Sequence, residues 1–326
     1  MVRQIERLWR SALIASLLAV STSGLSAQSA TLSPEERCAG RPTSVVGTFA
    51  DPRMEDAIRT SLRVPADTPL TCARLSTVRS VEARGLGIQS LAGIQNLEAL
   101  RRLNVWENSI ADVGPLRGLT ALTYLDLGTN EIRDLTPLSG LEALDTLYVN
   151  GNGIEDVAPL AGLTGLRFLF IQGNAIRDIT SLAGLTQLTN LNITHNSISD
   201  ISVLTNMREL ETLRVYNNPL TDITPMRELP ELHELHVHDL PNLTDIRPLL
   251  DNPGLGPGDH IIVYNSGASC NDVAALQAKG VPVNSDCWLQ ELVPVLPGIA
   301  AVLFAAAGAF VLIRRGRRRK NFSTSG

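Results

Sequence analysis

The part of the chain that carries its fold is short of positive charge. Of the 28 basic residues, three lie before position 11 and six lie after position 313, whereas 32 of the 33 acidic residues lie between positions 28 and 291. That segment therefore holds 19 basic residues and a net charge of −13. Because binding to a phosphate backbone requires a positive surface, the sequence argues against DNA or RNA as a partner.

The sequence also has no familiar catalytic motif. Gly-x-Ser-x-Gly, a phosphate-binding loop, a zinc-protease motif and Cys-x-x-Cys are all missing. We therefore expect a protein that is not an enzyme and holds no cofactor. The alternative is a metal-binding or enzymatic protein that uses His236 and His238, which lie on one side of a predicted strand and suit zinc or copper. Arg214, at the equivalent position one repeat earlier, opposes a cation there.

The two ends of the chain predict export and a membrane anchor. Residues 1–27 combine a basic start, a short apolar run and small residues, as a signal peptide does. Residues 292–313 carry no charge and would span about 33 Å as a transmembrane helix, and residues 314–326 form a basic cytoplasmic tail. We expect a single span in the cell membrane, with the bulk of the chain in the periplasm or at the cell surface. Processing by a sorting enzyme near 293–297 is an alternative.

The segment between these ends is a repeat with a period of 22 residues. Leucines, asparagines and aspartates each recur at that interval: Leu103, Leu125, Leu147, Leu169, Leu191, Leu213 and Leu235; Asn108, Asn130, Asn152, Asn174, Asn196 and Asn218; Asp112, Asp134, Asp156, Asp178, Asp200 and Asp222. In Leu-x-Leu both leucines point to one side of a short strand, so stacked repeats bury them together. The asparagine is expected to satisfy backbone groups at an inward bend, and the aspartate to be a structural turn residue.

This pattern resembles the leucine-rich repeat, Leu-x-Leu-x-x-Asn-x-Ile/Leu, in the short form found in internalin-like bacterial proteins. The resemblance implies an α/β solenoid, a horseshoe with a parallel β-sheet on the concave face and short 3₁₀ turns on the convex face. About eight repeats are predicted over 78–255, between an N-terminal cap at 28–77 and a C-terminal cap at 256–291. In the caps, Asp51 and Pro52 predict a helix start, and residues 258–266 predict the final strand.

Four cysteines, Cys38, Cys72, Cys270 and Cys287, lie in the exported segment, where disulfides persist. They allow three pairings. About eight strands at about 4.8 Å per step would separate the caps by roughly 40 Å, which excludes a bond from one cap to the other. The solenoid therefore predicts one disulfide in each cap, Cys38–Cys72 and Cys270–Cys287.

The few aromatic residues are placed unevenly. Segment 28–291 has nine, and six of them fall at strand positions that should be exposed on the concave face: Trp106, Tyr124, Tyr148, Phe168, Phe170 and Tyr216. Folding does not need aromatic side chains there, so we predict that these six and Arg214 bind a partner, either a protein or a glycan. The second hypothesis is a structural or scaffolding envelope protein, in which the aromatic side chains only stabilise the sheet.

Overall fold

The computed structural model describes residues 31–287, and in this range one sheet of ten strands runs in chain order. The strands are β1 (Ser80–Glu82), β2 (Arg102–Asn104), β3 (Tyr124–Asp126), β4 (Thr146–Tyr148), β5 (Phe168–Phe170), β6 (Asn190–Asn192), β7 (Thr212–Arg214), β8 (Glu234–His236), β9 (His260–Val263) and β10 (Val283–Ser285). All neighbouring strands are parallel. The register pairs Leu103 with Leu125 and Leu125 with Leu147, which confirms the parallel solenoid.

Short helical turns connect the strands and stack on one another. In the described range, a 3₁₀ helix follows each of the strands β1 to β7: Ile94–Asn96, Gly114–Leu116, Thr136–Leu138, Ala158–Leu160, Thr180–Gly184, Ser202–Asn206 and Thr224–Glu228. Four of these begin with a proline in their first turn, where its missing N–H costs no hydrogen bond. The α-helices are α1 (Pro52–Leu62), α2 (Cys72–Leu75), α3 (Arg247–Leu250) and α4 (Cys270–Ala278). The 3₁₀ turns predicted from the repeat length are confirmed.

The leucine column forms the centre of the core. All seven repeat leucines from Leu103 to Leu235 are buried, and the isoleucine or leucine after each repeat asparagine, from Ile110 to Leu220, is buried beside them. Burying one such side chain contributes about 2 kcal/mol, and the column is one of several buried apolar columns that make up the core. No repeat could bury its leucines without its neighbours, which makes the core continuous along the solenoid.

The asparagine column joins each repeat to the one before it. The Nδ2 group of Asn130 donates to the carbonyl oxygens of Val105 and Leu127, each at 3.0 Å, and its Oδ1 accepts from the backbone N–H of Ile110 at 3.0 Å. The equivalent bonds recur at Asn152 and in the other members of the column. Two partners of Asn130, Val105 and Ile110, belong to the preceding repeat, so the amide satisfies buried backbone groups of two turns at once.

The aspartate column has a different structural role at the surface. Oδ1 of Asp134 accepts from the N–H of Thr136 at 2.8 Å, and each other member makes the same bond to the residue two positions later. The bonds from the Thr136 hydroxyl and N–H hold the pKa of Asp134 below its usual value. These aspartates therefore start the 3₁₀ turns, as the sequence predicts.

The N-terminal cap covers the first strand of the sheet. Asp51 begins α1, and its carboxylate accepts from the N–H of Arg53 and of Gln89, both at 2.9 Å. The helix buries Met54 and Ile58 against the first repeat. Because the second bond of Asp51 reaches into that repeat, one side chain both starts the helix and fixes it on the solenoid.

Both predicted disulfides are present. Cys38 is bonded to Cys72 and Cys270 to Cys287, with sequence separations of 34 and 17 residues. In the loop-entropy model, bonds across such separations stabilise the folded state by about 4 and about 3 kcal/mol. Each cap therefore has its own covalent constraint.

The predicted final strand at 258–266 is wrong in one respect. β9 lies within it, but the chain continues through α4 to β10, where Val283 pairs with Ile261. The strand β10 is only Val-Asn-Ser and carries no repeat signature, so nothing in its pattern distinguishes it from a loop.

The predicted signal peptide (1–27), transmembrane helix (292–313) and basic tail (314–326) lie outside the described residues. Between 31 and 287, every helix is too short or too polar to cross a membrane.

Replacing Asn130 with Ala should destabilise the protein by about 2–4 kcal/mol, because it leaves several buried backbone groups without partners. Asn150→Ala is the matched control, since the Asn150 side chain lies on the sheet surface and makes no hydrogen bond within residues 31–287. Chemical denaturation of both variants tests this. Equal destabilisation by the two would show that the column does not couple the repeats.

Candidate functional site

The concave face is the side of the sheet that carries the residues flanking each buried leucine. Two groups of side chains stand out on it. The N-terminal cluster comprises Arg84, Arg102, Trp106, Tyr124, Asp126, Tyr148, Phe168 and Phe170 on β2 to β5 and the chain next to them. The C-terminal cluster comprises His195, Arg214, Tyr216, Glu234, His236, His238 and Tyr264. The polar strand β6, with Asn190 and Asn192, lies between them.

The rings of the N-terminal cluster contact each other across the strands. Tyr148 stacks on Phe170 with 4.4 Å between ring centroids and 2° between planes, and it meets Tyr124 at 5.8 Å and 49°. The register places Tyr148 directly beside Phe170, and the curvature of the sheet brings the rings into contact. Phe168 lies in the adjacent column without such a stack, with the Arg167 guanidinium 5.4 Å from its ring centroid.

Two arginines cover aromatic rings at the N-terminal edge of this cluster. The guanidinium of Arg84 lies 4.0 Å from the ring centroid of Trp106, and that of Arg102 lies 3.5 Å from that of Tyr124. Arg102 also forms an ion pair with Glu82 at 3.2 Å. The rings therefore already hold cationic groups of the chain itself.

The six predicted aromatic residues lie on the concave face, but they are only partly buried and not fully exposed. Between residues 31 and 287, the exposed large apolar side chains are Leu86, at 44%, and Tyr264, at 41%. The expectation of freely exposed rings is therefore wrong, since each ring is covered on one side by a neighbour. Ring edges, hydroxyl groups and the uncovered faces are what a partner could reach.

Asp126 is the carboxylate at the middle of the N-terminal cluster. Its Oδ1 accepts from the N–H of Gly128 at 3.0 Å, and within residues 31–287 no cationic nitrogen lies within 4.0 Å of it. Burial raises the pKa of Asp126 above its ordinary value, an effect that the Gly128 bond and the more distant Arg84 only partly offset. Burial and the Asp126 charge likewise raise the pKa of Tyr124 and of Tyr148.

The C-terminal cluster is a stack of tyrosine and histidine rings. His238 is sandwiched between Tyr216 and Tyr264, with ring centroids 4.1 and 4.5 Å away, and is only 7% exposed. His195 meets the edge of Tyr216 at 5.3 Å. Sequence reasoning missed Tyr264, because the residues inserted after β8 move it off the 22-residue interval. Because His236 pairs with Ile262, Tyr264 lies in the same column of the sheet as His238.

Arg214 and the histidines form a network of polar contacts with Glu234 and Asp239 on and next to β7 and β8. Oε1 of Glu234 lies 2.5 Å from Arg214 and 2.9 Å from Nε2 of His236, and Asp239 lies 3.1 Å from Nδ1 of His238. Burial, together with Arg214, lowers the pKa of His236. In the described residues, no three His, Cys, Asp or Glu side chains are grouped so that they could hold a metal ion. Each of the two histidines considered as ligands is instead paired with a carboxylate.

Asp126→Asn should stabilise the protein at neutral pH. Since the folded-state pKa of Asp126 is raised above 3.8, its charge costs stability at high pH, and the cost disappears as the group is protonated. The melting temperature of the variant should therefore exceed that of the unsubstituted protein at pH 7. This difference should shrink as the pH falls through the folded-state pKa of Asp126 and then through its ordinary pKa.

Asp134→Asn is the control with the opposite sign, because the pKa of Asp134 is lowered. It should reduce stability at pH 7, and the loss should vanish at acidic pH. Thermal unfolding from pH 3 to 7 measures both variants. A fall in the melting temperature of Asp126→Asn at pH 7 would contradict the assignment.

Comparison with known protein families identifies the repeat. The family described as "Leucine Rich repeats (2 copies)" matches residues 88–140, 142–184, 164–206 and 186–228. No curated protein sequence matches the chain.

Solved structures that are similar to this chain include two internalins. Internalin C2 from Listeria monocytogenes is 32% identical, with a TM-score of 0.60 over 68% of this chain and 94% of that protein. A second internalin from the same organism is 25% identical over 73% and 90% of the two chains, with a TM-score of 0.44. A TDR receptor, 17% identical, matches 66% of this chain and 44% of its own, with a TM-score of 0.52, and it shows the fold alone.

Proposed function

This chain belongs to the leucine-rich-repeat family in its internalin-like form, and from that premise we propose that it is a non-catalytic recognition protein that binds a protein partner through the concave face. Leucine-rich-repeat proteins generally mediate recognition between proteins, and the curved sheet of a solenoid offers an extended binding surface. The aromatic side chains of that face indicate which residues contact the partner.

The observation that carries the proposal is the distribution of the aromatic side chains. Of the eight Phe, Tyr and Trp residues between 31 and 287, seven lie on the concave face and one, Phe49, lies in the core. Leucine, isoleucine and valine fill the core of every repeat, so the aromatic side chains are not required there. Aromatic and arginine side chains are the residue types that contribute most to protein interfaces.

The scaffold hypothesis rests on the stacking between strands. The pair Tyr148–Phe170 and the sandwich around His238 would each stabilise the sheet by about 0.5–1.5 kcal/mol without any partner. Phe168 separates the two hypotheses, because it lies on the same face without a ring stack. A role in sheet stability alone gives little reason for an aromatic side chain at that position.

Phe168→Ala should weaken capture of the partner by roughly thirtyfold, the effect of losing one interface residue worth about 2 kcal/mol. Its free energy of unfolding should change by less than about 1 kcal/mol, since no ring stack is lost. The bait is the full oxidised chain in detergent, exposed to proteins from the source cells, and bound proteins are identified by mass spectrometry.

Thr212→Ala is the matched control, because Thr212 lies two strands away in the same column of the concave face. It should capture the partner as the unsubstituted chain does. Equal capture by the unsubstituted chain and the Phe168 variant, or no capture by either, would favour the scaffold hypothesis. Capture that disappears after enzymatic deglycosylation of the bound material would identify a glycan as the ligand.

We further propose that the chain works outside the cytoplasm, tethered by the segment after the C-terminal cap. A disulfide in each cap supports this, because such bonds persist in oxidising compartments. In intact source cells, denaturation without a reductant should leave the four cysteines inaccessible to a maleimide, and prior reduction should label all four. Labelling without reduction would place the chain in a reducing compartment.

A further inference from the structure

In its column, Asp126 carries a charge where Asn104 and Asn192, which make the same bond to the N–H two residues later, are neutral. It lies on the concave face between Asn104 on β2 and Tyr148 on β4, and its one hydrogen bond in the described part of the chain comes from Gly128. It is partly buried, yet no cation in residues 31–287 lies within ion-pair distance of it. A carboxylate in such a place is stabilised by a cation that comes from outside the chain.

Two tyrosines lie next to this carboxylate, and a tryptophan lies over the nearby Gly128. Tyr124 precedes it by two residues on the same face of β3, and Tyr148 lies beside it in register. Trp106 leans over Gly128, where an added Cβ atom would lie 2.8 Å from Cδ1 of the indole. The glycine thus leaves the space that the indole fills. Aromatic rings around a carboxylate favour a cationic side chain, because the ring faces and the carboxylate both attract positive charge.

The side chains of this area carry one more negative than positive charge. Three carboxylates, Glu82, Glu107 and Asp126, face two guanidinium groups, Arg84 and Arg102. Arg102 is paired with Glu82, and both arginines stack on rings of the same cluster. One added basic side chain would make the area neutral. The net charge of −13 on segment 28–291 would also attract a basic partner over a longer range.

We propose that Asp126, Tyr124, Tyr148 and Trp106 form a subsite for a basic side chain, arginine or lysine, on the surface of a protein partner. The subsite rests on the proposed recognition function and specifies its chemistry. Asp126 supplies the opposite charge, and the ring edges and uncovered ring faces contact the methylene groups and the flat guanidinium. Burial raises the pKa of Asp126 more than Gly128, Arg84 and Arg102 lower it, so a further cation would stabilise its charged form.

The test uses two small probes, N-acetyl-arginine amide and N-acetyl-citrulline amide, which have nearly the same shape but differ in charge. Saturation-transfer NMR detects contacts of each probe with the full chain in detergent, whatever its size. The arginine probe should give a saturation-transfer signal on its δ-methylene protons, and the citrulline probe should give about a tenfold smaller one, because it cannot pair with a carboxylate.

Asp126→Asn should reduce the arginine signal by about tenfold, whereas Asp134→Asn, which removes the same charge from the convex edge of the repeat, should leave it unchanged. An equal signal from citrulline, or an equal loss in both variants, would overturn the subsite and indicate attraction to the net charge alone. Partner capture that depends on Phe168 but not on Asp126 would overturn the subsite while the recognition function stands. Partner capture that depends on neither residue would contradict the proposed function itself.

Discussion

The asparagine amides that join each repeat to the next are the interaction on which the rest of this structure depends. Inside each turn the backbone changes direction in a buried environment, where unpaired N–H and C=O groups are costly. Asn130 satisfies groups of its own repeat and of the preceding one, and this is possible only at one spacing between repeats. The register of the sheet and the alignment of the leucines agree with that requirement.

This arrangement leaves the concave face largely free of structural duties. The leucines fill the core, the asparagines satisfy the inward bend, and aspartates such as Asp134 start the outer turns. Each of the strands β1 to β8 has only three residues, and the first and third of them face outwards. A stacked pair such as Tyr148–Phe170 contributes about 0.5–1.5 kcal/mol, against about 2 kcal/mol for one buried leucine of a column that runs the length of the sheet. Side chains on this face can therefore vary at little cost to the fold.

The features of the fold that could be predicted from the sequence are those that the 22-residue period determines. The columns of leucine, asparagine and aspartate gave the sheet order, the 3₁₀ turns and, through the distance between the caps, both disulfides. β10 could not be predicted, because three residues of mixed polarity carry no periodic signal. Tyr264 was missed because an insertion precedes it. The ring stacks could not be predicted either, because they depend on the curvature that brings side chains of neighbouring strands into contact. Local spacing fixes which face a residue occupies, whereas its burial depends on its neighbours.

Two aspartates eight residues apart within one repeat differ in what their charge does for stability. Asp134 belongs to a column that recurs in every regular repeat, and hydrogen bonds from Thr136 lower its pKa, so its charge favours folding. Asp126 shares its column, and its bond to the N–H two residues later, with the neutral Asn104 and Asn192. Its charge is not repeated in those two residues, and burial raises its pKa. Every repeat has to bury the same apolar column and satisfy the same backbone groups. A position that recurs is therefore required by the fold, and a charge that neither recurs nor favours folding is best explained by what it binds.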